Sequence, residues 1–90
     1  MNDEVRLWLV ERTYSDDEQN LIILTYATTD GDRYLRKERA LTSFDDERET
    51  TAAVDVDNDS VAEVRDGETR KRYASEAQRM AEEHGPDDVI

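Results

Sequence analysis

Three aspartates at every second position make the strongest chemical pattern in this 90-residue chain. Asp55, Asp57 and Asp59 reproduce the D-x-D-x-D opening of an EF-hand calcium loop. That loop needs a glycine at its sixth position and a bidentate glutamate at its twelfth, where this chain has Ser60 and Asp66. Since both requirements fail, the stretch is predicted to be a solvated acidic turn, and no specific metal is expected.

Side chains that commonly do catalysis are scarce. The chain has one histidine, His84, and no cysteine, so it offers neither a multi-histidine metal site nor a thiol nucleophile. The glycine motifs of nucleotide-binding loops and the G-x-S-x-G motif of serine hydrolases are also missing from the sequence. We therefore expect a protein that is not an enzyme and that uses no cofactor.

Basic residues are concentrated in two short stretches, RYLRKER and RKR. The first stretch, residues 33–39, supplies four candidate binding residues: Arg33, Arg36, Lys37 and Arg39. One interpretation pairs these cations with the carboxylates around them. The alternative is an anion or single-stranded nucleic-acid site, in which Arg36 and three aromatic residues form a stacking platform: Trp8, Tyr26 and Tyr34. A net charge of −12 argues against nucleic acid unless the charges are strongly segregated.

The charge balance indicates adaptation to molar salt. The chain has 24 acidic and 12 basic residues, and ten of the basic residues are arginine. Self-repulsion at this net charge destabilises a compact state, but at about 1 M salt the Debye length falls to about 3 Å. Arginine is also the more weakly hydrated cation and the better bidentate partner for carboxylates.

The first ten residues, MNDEVRLWLV, are acidic, and their apolar run is too short for a signal peptide or a membrane span. The expected location is therefore the cytoplasm, with no membrane partner. The composition, together with the ending ETRKRYASEAQRMAEEHGPDD, resembles that of small uncharacterised proteins of halophilic archaea. This resemblance implies a high-salt habitat and no particular activity.

Apolar periodicity predicts four strands followed by one helix. The strands are predicted at residues 4–14, 21–29, 33–44 and 50–56, and their short connections favour a meander of antiparallel neighbours. The helix is predicted at 67–84, with Asp66 as its N-cap and an apolar stripe along one side. Gly85 is expected to end this helix in the left-handed conformation, and residues 85–90 are expected to fray.

These elements predict one α+β domain, a four-stranded antiparallel β-meander with one C-terminal α-helix packed on one face. A single helix covers one face of the sheet. In the first two strands, however, apolar residues occupy both odd and even positions, so they face both sides of the sheet. Either the sheet curls so that both faces are partly covered, or the second face meets a partner. We favour a protein-interaction module that forms a homodimer, or binds another protein, through an open sheet face. The interaction candidates are Trp8, Val10, Tyr26 and Tyr34.

Overall fold

The computed structural model describes residues 3–15, 21–40 and 50–90. These residues form an antiparallel sheet and one α-helix packed on it, which confirms the predicted α+β class. In chain order the elements are β1 (Glu4–Ser15), β2 (Leu21–Ala27), β3 (Arg33–Ala40), β4 (Ala53–Asp57), a 3₁₀ turn (Asn58–Ser60), β5 (Ala62–Glu63) and α1 (Gly67–Glu83). Residues 41–44, which were predicted to continue the third strand, lie outside the described residues.

Within the described residues the sheet has five strands rather than four, and its strand order differs from the predicted meander. β1, β2 and β3 are consecutive neighbours, but β4 pairs with β1 and the short β5 pairs with β3. Sequential strands are usually neighbours in a sheet, which would place β4 beside β3, but here β4 crosses over to the far edge. With two residues, β5 is too short to produce an alternating sequence pattern.

The sheet is strongly curled, because β4 and β5 lie at its opposite edges and are joined by residues 58–61 alone. In a flat sheet, four strand spacings would separate these edges by about 19 Å, whereas a link containing a 3₁₀ turn spans about 13 Å. Asn58 connects the two sides directly. Its side-chain oxygen accepts a hydrogen bond from Arg33 of β3. Its backbone amide donates to the carbonyl oxygen of Asp3, 2.8 Å away.

The concave side of the curled sheet contains the main hydrophobic core. Leu7 is fully buried at its centre, and four further core residues are almost completely buried: Leu9, Ile22, Leu24 and Tyr26. Side chains from both halves of the sheet and from the link pack onto this cluster, namely Val54, Val56, Leu35 and Val61. Curling therefore covers this face within a single chain, which is the first of the two alternatives raised by the sequence.

Helix α1 packs on the convex side of the sheet. Trp8 lies beneath it in a second cluster, together with three small residues that let the helix backbone come close to the strands: Ala52, Ala53 and Ala77. A β-bulge at Val10 interrupts the pairing of β1 with β2. After the bulge Glu11 pairs with Thr25. Odd-numbered residues of β1 lie on the concave side before the bulge and on the convex side after it, so Glu11 lies on the convex side.

The ends of α1 match the prediction only at the N-terminus. The Asp66 carboxylate accepts hydrogen bonds from the amide (2.9 Å) and the hydroxyl (2.8 Å) of Thr69, which confirms it as the N-cap. The helix ends at Glu83, and His84 is its C-cap in an extended conformation. Gly85 does not adopt the predicted left-handed conformation.

The chain after α1 is hydrogen-bonded to the sheet, so the prediction of a frayed tail is wrong. The amides of Ala52 and Ala53 donate to the carbonyl oxygens of Asp88 (2.8 Å) and Pro86 (3.1 Å), and the Ile90 amide donates to Thr50 (2.9 Å). Ile90 also packs against both hydrophobic clusters. The tail is ordered because it satisfies backbone groups next to β4 and covers apolar surface.

Candidate binding surface

Two of the four predicted interaction residues are buried. Trp8 is 8% exposed beneath α1, and Tyr26 is 3% exposed in the concave core. Val10 at the bulge and Tyr34 on β3 are partly buried. These residues therefore contribute to packing on both sides of the sheet and do not form one exposed apolar surface.

The basic stretch of β3 is divided between the two sides of the sheet. Strand alternation places Arg33, Lys37 and Arg39 on the concave side and Arg36 on the convex side. The Arg36 guanidinium group lies 3.5 Å from the carboxylate of Glu38. Because the cations are divided and two of the aromatic residues are buried, these side chains do not form the single stacking platform considered for nucleic acid.

Helix α1 leaves part of the convex side uncovered, and the uncovered part forms a cleft of about 730 Å³ that we call the outer cleft. Its floor consists of side chains from β1, β2 and β3, namely Glu11, Thr13, Ile23, Thr25, Tyr34 and Arg36. Its wall consists of residues 62–66 and of Thr69 and Tyr73 on α1. The strand register explains the floor, because residues paired across antiparallel strands lie on the same face.

An aromatic pair closes one end of the outer cleft. The ring centroids of Tyr34 and Tyr73 are 6.4 Å apart and the rings are inclined by 52°, a favourable arrangement for two aromatic side chains. The guanidinium group of Arg72 lies 5.3 Å from the centroid of the Tyr73 ring. Arg72 also donates to the Glu11 carboxylate at 3.3 Å, so α1 is tied to the cleft floor.

The outer cleft has charges of both signs. Five charged residues line it: Glu11, Glu63, Asp66, Arg36 and Arg65. Hydrogen bonds from the hydroxyl and the amide of Thr69 hold the pKa of the Asp66 carboxyl below its usual range, so this side chain is charged at neutral pH. A partly apolar floor with a mixed-charge rim is typical of protein–protein interfaces.

The three aspartates that suggested a calcium loop belong to two different elements. Asp55 lies on β4 and accepts two hydrogen bonds from Arg6 of β1, at 2.7 and 3.0 Å. This ion pair lowers the pKa of the Asp55 carboxyl. Asp57 ends β4 and Asp59 lies in the 3₁₀ turn. In the part of the chain that the structure describes, no three such side chains converge on a site that could hold a metal ion.

The histidine has a structural position at the end of α1. His84 lies outside the outer cleft, its amide donates to the Met80 carbonyl oxygen at 3.0 Å, and its ring lies 3.8 Å from the Asp88 carboxylate. Helix α1 itself has 17 residues and is rich in charge. Across residues 3–15, 21–40 and 50–90, no helix combines the length and hydrophobicity needed to cross a membrane.

Two residues of the outer cleft, Tyr34 and Arg36, are among those that the sequence predicts as binding residues, and the other cleft residues are not. Tyr73 belongs to the apolar stripe of the predicted helix, a signal that indicates packing rather than an exposed site. Ile23 lies in a strand with apolar residues on both parities, so its pattern does not show which side stays open. The segment 62–66 has no periodicity at all, and the bulge at Val10 cannot be read from the alternation of β1.

Comparison with known proteins gives information at the level of the family. A protein-family model described as a family of unknown function (DUF7967) matches residues 1–90. No curated protein and no solved structure matches the chain. The geometry of the molecule is therefore the basis for a functional assignment.

Proposed function

This chain belongs to the family of unknown function DUF7967, and from its geometry we propose that it is a non-enzymatic protein-interaction module. It works in the cytoplasm of a cell with molar salt, and its partner is a second copy of the chain bound at the outer cleft. The observation that supports this proposal is the incomplete cover of the convex side. Helix α1 leaves a cleft with a partly apolar floor and a charged rim in a chain of only 90 residues.

A second copy suits the outer cleft because the surface has charges of both signs. Around a twofold axis the same surface meets itself, and a surface with both signs of charge can then pair acidic residues of one copy with basic residues of the other. Arg36 and Glu38 illustrate this on β3, since both side chains are more than half exposed (57% and 54%) and their ion pair is a long one. Such a pair can exchange partners between two copies at little cost.

The apolar part of the proposed interface comes from three side chains of the cleft. Ile23 lies on the floor, and Tyr34 and Tyr73 form the aromatic end. All three are partly buried in the single chain, so each has apolar surface left to cover. Aromatic and branched side chains in a recessed position are the usual anchors of protein interfaces.

The high-salt part of the proposal explains how two acidic chains can associate. Two copies with a net charge of −12 repel each other, and molar salt limits that repulsion to about 3 Å. The arginine usage supports the same setting. Arg79, for example, lies 2.6 Å from the Glu76 carboxylate and 3.6 Å from that of Glu83, which is the kind of pairing that an acid-rich surface favours.

Two carboxylates of the cleft already have structural roles, which supports a function other than catalysis. Glu11 binds Arg72, and Asp66 caps α1. Each of these carboxylates therefore has a structural partner. His84, the only imidazole in the chain, lies outside the cleft and far along the helix from Asp66. This arrangement favours binding over acid–base chemistry.

Sedimentation equilibrium in molar KCl tests the proposal. We expect wild type to be a dimer, and Thr13→Arg to weaken dimerisation at least about tenfold by placing a bulky charge on the cleft floor. Thr29→Arg is the matched control, because Thr29 is exposed like Thr13 and lies in the β2–β3 turn outside the cleft. A wild type that stays monomeric at every concentration, or a dimer that both variants weaken equally, contradicts the proposal.

A further inference from the structure

The concave side of the sheet differs from the rest of the molecule in its charges. On strands β1 to β4, the charged residues of this side are all basic: Arg12, Arg33, Lys37 and Arg39. The short β5 adds one acidic residue, Glu63, as the register partner of Arg33. The convex side of the same strands has both signs, and its acidic residues are Glu4, Glu11, Glu38, Asp55 and Asp57. In a chain with a net charge of −12, this is a strong segregation of charge.

Three of the basic residues, Arg12, Lys37 and Arg39, lie near one end of the concave side, and we call them the concave cation cluster. Arg12 on β1 and Lys37 on β3 both pair with Leu24 on β2, which lies between them. Their Cα atoms are therefore about 10 Å apart. Arg39 follows two residues after Lys37, about 7 Å along β3. From these positions three long side chains can reach one shared ligand.

Neighbouring groups hold both arginines of the cluster in this region. Arg12 donates to the carbonyl oxygen of Ile90 at 3.2 Å, and Arg39 donates to the hydroxyl of Thr50 at 3.1 Å. Burial raises the pKa of the Tyr26 hydroxyl, and the charges of Arg39 and Arg12 oppose this rise. The register supports the same placement, since Arg12 on β1 and Arg39 on β3 lie on the same face of the sheet as Tyr26 on β2.

We propose that the concave cation cluster binds phosphate groups. Arginine and lysine form short, charge-assisted hydrogen bonds with phosphate oxygens, and several such cations on one small surface are the usual form of a phosphate site. Tyr14 adds an aromatic surface beside the cluster, because its side chain is 64% exposed. Tyr14 on β1 and Arg39 on β3 both pair with Ile22 on β2, so they lie on the same side of the sheet. The phosphate comes from a free phosphate compound or from the backbone of a single-stranded nucleic acid whose bases stack on Tyr14.

This site is independent of the proposed dimer interface, because the cluster and the outer cleft lie on opposite sides of the sheet. Molar salt weakens phosphate binding by counterion competition, so the hydrogen bonds and the stacking must supply most of the affinity. Pyrophosphate and a short oligothymidylate are suitable probes for the two sources. Each is titrated into the ¹⁵N-labelled full chain in molar KCl, while the Nε–Hε signals of Arg12 and Arg39 are observed by NMR.

We expect at least one probe to shift these signals with saturation. Lys37→Gln should weaken its binding about tenfold, as expected for the loss of one charge-assisted contact. Lys71→Gln is the matched control, because it removes the same charge from an exposed position on α1, on the opposite side of the sheet, and it should change the affinity by less than about twofold. Circular dichroism checks that both variants fold. If neither probe shifts the signals, or if the two variants weaken binding equally, the proposal is wrong.

Tyr14→Ala distinguishes the two sources of phosphate. If the ligand is single-stranded nucleic acid, this variant weakens the binding of oligothymidylate and leaves that of pyrophosphate unchanged, because only the oligonucleotide has bases to stack. If each probe binds to Tyr14→Ala as tightly as to wild type, the cluster recognises phosphate alone. In either case sedimentation of the Lys37→Gln variant should still show a dimer, so the failure of one proposal is separable from that of the other.

Discussion

Individual residues show why strong sequence signals did not mark the binding surface. Trp8 has the largest apolar side chain of the molecule, and the sequence predicts it as an interaction residue. It is instead covered by α1, because the small side chains of Ala53 and Ala77 let the helix close over it. Tyr26 is likewise buried under the curl of the sheet. A large apolar side chain is equally suited to a core and to an interface. Its neighbours in space therefore determine whether it is buried in the core or exposed for binding.

Asp30, in the β2–β3 turn, is expected to make the stability depend on pH in the acid range. Its carboxylate accepts hydrogen bonds from the Thr28 hydroxyl at 2.5 Å and from the Asp32 amide at 2.9 Å. These bonds, that of Thr28 above all, lower the pKa of Asp30 from its usual 3.8. Because the folded-state pKa lies below the unfolded one, the stabilisation is present above about pH 3.8 and is lost as the pH falls through the folded-state value.

Urea unfolding between neutral and acid pH measures this effect in the variant Asp30→Asn. The variant should be less stable than wild type at neutral pH and should converge with it in acid, where the wild-type carboxyl is protonated. Asp59→Asn is the control, since it removes the same charge from an exposed position in the 3₁₀ turn. Wild-type and Asp30→Asn curves that stay parallel over the whole range would count against the assigned hydrogen bonds.

At the scale of elements, the sequence predicts best what depends on neighbouring residues. The N-cap of α1, the apolar stripe of that helix and the first three strands all follow from local patterns. The pairing of β4 with β1 brings together residues about fifty positions apart, and no local pattern contains it. The bulge at Val10 has the same character, because it is defined by the partner strand and not by β1 alone.

The contact between the β2–β3 turn and α1 depends on a single glycine. Gly31 has a φ of +74°, and a Cβ atom there would overlap the carbonyl oxygen of Arg70 and lie 3.0 Å from the amide nitrogen of Ala74. Both are backbone atoms of the helix, so they cannot move aside cheaply. Gly31→Ala should therefore reduce the free energy of unfolding by about 3 kcal/mol or more, through left-handed strain and the clash together.

Gly67→Ala is the matched control for this prediction. Gly67 opens α1, and an added Cβ atom would meet nothing within 4 Å, so the substitution should be neutral or slightly stabilising. Chemical denaturation of the two variants and of wild type in molar KCl gives the comparison. Equal stabilities of the two variants would show that the turn does not dock on the helix as described.

At the scale of the whole molecule, the curl of the sheet decides which surfaces are open. The sequence raises the curled sheet as one of two alternatives, and the link 58–61 between opposite edges of the sheet requires this curl. The open surface then lies on the same side as the helix, where Tyr34 and Arg36 are the predicted residues that it includes. A pattern of hydrophobic residues predicts that two faces need cover, but the curvature that covers one of them is a property of the whole sheet.

The charge of the whole molecule predicts that folding requires salt. Circular dichroism between about 0.1 and about 3 M KCl should show structure gained as the salt rises, because screening relieves the repulsion among an excess of twelve acidic charges. Sucrose at the same osmolarity is the control, since it favours compact states without screening charge. A chain that is equally folded at all KCl concentrations would contradict the proposed adaptation to molar salt.

Two copies of this chain are proposed to associate through the outer cleft. Intermolecular NOEs test it most directly, measured in molar KCl on a mixture of ¹³C-labelled and unlabelled chains. We expect NOEs between the Ile23 methyl groups of one copy and protons of the other copy, with further NOEs to the rings of Tyr34 and Tyr73. A dimer whose intermolecular NOEs come only from Tyr14 or Val89, which are the exposed large apolar residues in the described part of the chain, would contradict it.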